Sequence, residues 1–73
     1  MKLYKLTLKS PATYGYFTEE EYQKGDPISA NVGGWVIDLG KIWIDRLPEK
    51  IGERVPAYDE LAQEIIGEVE RVE

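Results

Sequence analysis

Hydrophobic and polar positions alternate from Lys2 to Lys9, with Tyr4, Leu6 and Leu8 on one side and Lys5, Thr7 and Lys9 on the other. A period of two is that of a half-buried strand. Ser10-Pro11-Ala12-Thr13 reads as a turn, because proline presets the backbone angle of a second turn position. Tyr14-Gly15-Tyr16-Phe17 then returns as a second strand, hairpin-paired with the first. Thr18-Glu19-Glu20-Glu21 fits a capping box and opens a short helix, which Gly25-Asp26-Pro27 stops. Ile28 to Val32 reads as a further short strand.

The densest run of β-branched and aromatic residues is Gly33 to Asp45, which holds Trp35 and Trp43. Such side chains suit a pleated surface, and its glycines weaken any helix drawn through it. The pattern predicts a central hairpin, Trp35–Asp38 against Lys41–Asp45, reversing near Gly40. A two-residue turn sets Ile37 opposite Ile42 and Trp35 opposite Ile44, with Asp38 facing Lys41 as an ion pair. A three-residue loop with Gly40 left-handed is the competing register, and the slip between them changes which tryptophan is buried. The first register is preferred.

Arg46 to Val55 reads as an ordered loop with one helical turn at Pro48–Ile51, anchored by Leu47 and Ile51. From Pro56 onward, Tyr58, Leu61, Ala62, Ile65, Val69 and Val72 recur at steps of three and four. Proline suits a first helical position, and that recurrence predicts an amphipathic C-terminal helix. Glu60, Glu64 and Glu68 fall on its solvent side, and Gly67 marks close approach of a neighbour. The predicted fold is α+β: a small antiparallel sheet of four or five strands in two hairpins, with the C-terminal α-helix across one face. Residues 1–73 form one domain in this reading.

Composition sharpens the picture. A core built from 73 residues rarely supplies more than about 3–5 kcal/mol unaided, and the chain has no cysteine or histidine to supply disulfides or the usual zinc ligands. Self-association as a homodimer is the expected supplement. The Glu-, Lys- and Ile-rich usage, short of Asn, Gln and Met, resembles that of a thermophilic host. Lys2, Lys5 and Lys9 interrupt any signal-peptide hydrophobic run, and no stretch is long enough to cross a bilayer, so a cytoplasmic location is expected.

The net charge of −5 is uneven. Residues 1–24 carry four lysines against three glutamates, whereas residues 25–73 carry five basic against eleven acidic residues. That balance argues against direct binding to nucleic acid or to anionic lipid, and favours protein partners.

Chemistry is scarce. Without histidine or cysteine, the commonest general base and thiol nucleophiles are missing, and no phosphate-loop motif occurs. Asp38, Asp45 and Glu49 lack the spacing of a cation loop, and a domain this small scarcely builds the cleft that a carboxylate pair needs. No catalytic, cofactor or metal residue is therefore assigned. The expected function is a non-catalytic interaction module that uses exposed aromatics, Trp43, Tyr16 and Tyr14, as its protein interface. A second reading makes Glu60, Glu64 and Glu68 an acidic face imitating nucleic acid, against the blander one of a solvated surface. A third is an accessory subunit of a larger enzyme. Steep salt dependence of binding would mark the mimic.

Overall fold

The computed structural model describes residues 2–9, 12–25, 27–29, 36–38 and 42–73. The chain runs β1 (Leu3–Lys9), β2 (Ala12–Thr18), α1 (Glu19–Lys24), β3 (Pro27–Ser29), β4 (Val36–Asp38), β5 (Ile42–Ile44), β6 (Arg54–Asp59) and β7 (Ile65–Arg71). Five strands form an antiparallel sheet in the order β2-β1-β7-β6-β5, curled into a half-barrel. β3 and β4 pair separately as a two-stranded ribbon, antiparallel from Pro27↔Asp38 to Ser29↔Val36.

The first hairpin forms in register from Leu3↔Thr18 to Lys9↔Ala12, so Ala12 and Thr13, expected in its turn, begin β2 instead, while Ser10 and Pro11 lie outside the described residues. Tyr4, Leu6 and Leu8 point into the core with Phe17, while Lys5, Thr7 and Lys9 take the opposite face. The capping box is present: Thr18 Oγ1 accepts from the Glu21 amide at 3.2 Å, and Glu21 returns to the Thr18 amide at 2.8 Å. Gly25 ends α1 in the left-handed region, with φ 76°.

The C-terminal helix does not exist, and with it the α+β class falls. Among the described residues the only helix is the six-residue α1. Residues 54–71 instead form the β6–β7 hairpin, whose turn runs through Glu60–Glu64. Two periods overlap in this stretch. The step-of-three-and-four series reads as a helix face, yet Leu61 and Ile65 on it are 69% and 51% exposed. The series that decides is the alternating one, in which Val55, Ala57, Gly67 and Val69 are all buried. β1 supplies the reason, since it pairs with β7 from Tyr4↔Arg71 to Leu8↔Gly67 and satisfies a row of backbone groups that a helix would withdraw from it. A register shift between Ala57 and Tyr58 brings Tyr58 opposite Ile65, and Ile66 packs against the core.

The central hairpin is also not formed. β4 pairs with β3, so Ile37 faces Ile28, and β5 pairs with β6, so Ile42 faces Asp59 and Ile44 faces Ala57. Trp35, Gly40 and Lys41, on which the two competing registers turned, lie outside the described residues, as do residues 30–32 of the strand expected at 28–32.

The loop from Asp45 to Glu53 anchors through Leu47 and the fully buried Pro48, not through Ile51, which is 70% exposed. No helical turn forms there. The Glu53 amide donates to the Lys50 carbonyl at 3.0 Å, and Gly52 sits at φ 88°, which makes a type II turn with Ile51 at its tip. The Glu53 carboxylate then gathers the loop. It accepts from the amides of Glu49 (2.8 Å) and Lys50 (3.2 Å) and from the Arg46 guanidinium. Arg71, at the end of β7, holds the loop from the other side by donating to the Glu49 carbonyl.

The Glu53 carboxyl is held down to about 2 from an ordinary 4.5, first by the Arg46 hydrogen bond and then by the two amides. A depressed carboxyl contributes stability that is fully present above its ordinary value and lost as pH falls through the depressed one. Acidification from pH 4.5 to 2 is therefore expected to loosen residues 46–53. Glu53→Gln should remove that component of the acid dependence. Amide exchange at Glu49 and Lys50 across the titration reads it directly, and identical pH profiles for the two proteins would refute it.

Candidate interaction surface

Every second residue of the five-stranded sheet leaves the core, and the register decides which of these meet. Tyr16, Lys5, Glu70 and Arg54 form one row across β2, β1, β7 and β6; Tyr14, Thr7, Glu68 and Pro56 form the next. Trp43 on β5 pairs with Tyr58 on β6, which pairs with Ile65 on β7. All three interface residues expected from the sequence thus share the face opposite the core. Tyr14 and Tyr16 lie edge to face at 5.7 Å on β2, at one margin of the sheet. Trp43 lies at the other margin, on β5, with three strands between. There it meets Tyr58 edge to face, also at 5.7 Å. Tyr16 and Trp43 are each 45% exposed.

Two residues of this surface escape a reading of the sequence. Tyr58 is taken for helix core because it starts the step-of-three-and-four series. Lys5 is a strand lysine like any other until the β1–β2 register brings its Nζ to 4.6 Å above the Tyr14 ring. The signal for Lys5 was its cross-strand neighbours, since Thr7 faces Tyr14 and Lys5 faces Tyr16.

The acidic residues do not make one face. Glu60 and Glu64 sit in the β6–β7 turn, and Glu68 lies on the sheet, 3.3 Å from the Arg54 guanidinium. Arg54 also reaches Glu70 at 3.6 Å. The helical spacing on which mimicry of a phosphate backbone rested is gone.

Elsewhere, a cleft of about 230 Å³ is lined by Lys2, Thr18, Glu19 and Glu20. Its groups are engaged: Lys2 is 3.7 Å from Glu19, and the Thr18 hydroxyl caps α1. Asp45, Arg46 and Glu49 are exposed, and among the described residues no three carboxylates gather as a metal site. No helix among them is long and apolar enough to cross a membrane.

Fold and surface define a small, mostly antiparallel β protein whose outer sheet face is aromatic at both margins. Set against known protein families, curated proteins and solved structures, the chain matches none.

Proposed function

We propose that the protein is a non-catalytic interaction module, working in the cytoplasm, that docks another protein on the outer face of its five-stranded sheet. The observation that carries this reading is that Tyr14, Tyr16 and Trp43, on the two strands at opposite margins, all turn from the core to the outer side of the sheet. A small domain short of core material still leaves Tyr16 and Trp43 nearly half exposed, while Tyr4 and Phe17 are only 1% exposed. Tyrosine and tryptophan supply large contact area at low entropic cost, and they dominate binding energy where they anchor interfaces.

Placing a photo-crosslinking amino acid at position 43 or 16 in the host cell tests the proposal. A discrete adduct is expected from both positions, and none from position 51 on the exposed tip of the 45–53 loop. Absence of any adduct from positions 43 and 16, or the same set from all three, would overturn it.

A further inference from the structure

The outer face is polarised, and its two aromatic pairs differ in what surrounds them. At the β2 margin the chain supplies its own cation, because Lys5 lies over Tyr14. At the β5 margin the Trp43–Tyr58 corner is flanked by the β6–β7 turn, Asp59-Glu60-Leu61-Ala62-Gln63-Glu64, which holds three carboxylates and no cation. Tyr58 faces Ile65, which is 51% exposed. Glu60 and Glu64 are exposed, and the turn is held in place by Asp59, whose amide donates to the Glu64 carbonyl (3.0 Å) and whose carboxylate accepts from the Gln63 amide (2.8 Å).

We infer that the Trp43–Tyr58 corner and its acidic turn receive an arginine-bearing, extended segment of a partner protein. The inference rests on the docking reading above and names the partner's chemistry. Two rings meeting at 63° offer a face and an edge to a planar guanidinium. The turn carboxylates complement its charge, and exposed Ile65 offers apolar surface to its methylene stem. Charge favours such a segment over a second copy of this chain, whose net charge of −5 would meet the turn carboxylates with like sign.

The test is titration of the intact protein with a short synthetic peptide alternating arginine with serine, read by amide chemical shifts, with a glutamate–serine peptide beside it. Saturable shifts are expected at Trp43, Tyr58 and residues 59–65 with the arginine peptide alone, weakening as salt rises. Trp43→Ala is expected to weaken binding about tenfold, and Glu60→Gln with Glu64→Gln about threefold. The paired turn variant covers the case in which Trp43→Ala folds poorly. Non-saturating shifts spread over Glu19–Glu21 and the turn alike, or unchanged affinity in both variants, would overturn the inference. Shifts at the same amides that follow protein concentration without peptide would assign the corner to a second copy and overturn it too. If positions 43 and 16 yield their cellular adducts while the peptide fails, only the cationic partner falls; if neither position yields an adduct, the docking reading falls with it.

Discussion

Gly67→Ala is expected to remove much of the protein's stability at room temperature. β7 lies between β1 and β6 at the centre of the sheet, and Gly67 faces Leu8 on one side and Ala57 on the other. A Cβ at this position would stand 2.1 Å from the Thr7 carbonyl oxygen, 3.0 Å from its carbon and 3.1 Å from the Leu8 Cα. All three are backbone atoms, so no flexible side chain can swing aside, and the methyl must force β1 from β7. Overpacking of this kind costs about 1–3 kcal/mol and sometimes more. A domain of this size rarely holds more than about 3–5 kcal/mol in total. Circular dichroism and urea unfolding decide the matter, and an alanine variant with the parent's midpoint would show that the two strands are not so close.

Phe17→Ala should be comparably severe for the opposite reason, a void in place of a clash. The Phe17 ring stacks on Tyr4 at 5.4 Å and meets Tyr22 of α1 at 6.1 Å, so it joins β1, β2 and the helix. Truncating a buried phenylalanine costs about 3–5 kcal/mol, depending on how far the site collapses. α1 buries none of its residues fully and leans on this contact, so it should come loose first. Tyr16→Ala, one residue away on the exposed face, is the control, with an expected cost below about 1 kcal/mol. Thermal unfolding of the pair reads the contrast, and equal shifts would contradict the assigned alternation of β2.

What could be read from the chain alone was whatever its neighbours in sequence decide. The β1 alternation, the Thr18–Glu21 capping box and the Gly25 stop each depend on a few adjacent residues, and each formed. Gly67 as a point of close approach also held, although the neighbour is a strand and the residue is no part of a helix. The two larger failures share one cause, pairing between distant segments. Gly40 promised the shortest route from Val36–Asp38 to Ile42–Ile44, but those strands pair with residues 27–29 and 57–59 instead. The C-terminal stretch satisfied both periods, and only the presence of β1 beside it chose between them.

The candidate surface divides along the same line. Tyr14 and Tyr16 share a face by strand parity, which the sequence displays. That Trp43 shares it, and that Tyr58 completes its corner, depends on the register of β5 on β6. Ala62 shows the opposite case. Counted on the apolar stripe, it occupies the left-handed region at φ 56° in the turn, a conformation no pattern of hydrophobicity announces.

Pro56, which suits a helix start, stands in mid-strand, where its ring has a different use. The Glu53 carbonyl accepts from Arg71 on β7, so by alternation the backbone groups of Arg54 and Pro56 turn toward the β5 side. β5 pairs only with Ala57–Asp59 and stops short of them. A stray strand that tried to lengthen the sheet there would meet a pyrrolidine carbon where it needs a donor, beside a guanidinium held by two glutamates. The stretch of β6 beyond the end of β5 is thus closed to strand addition by its own proline.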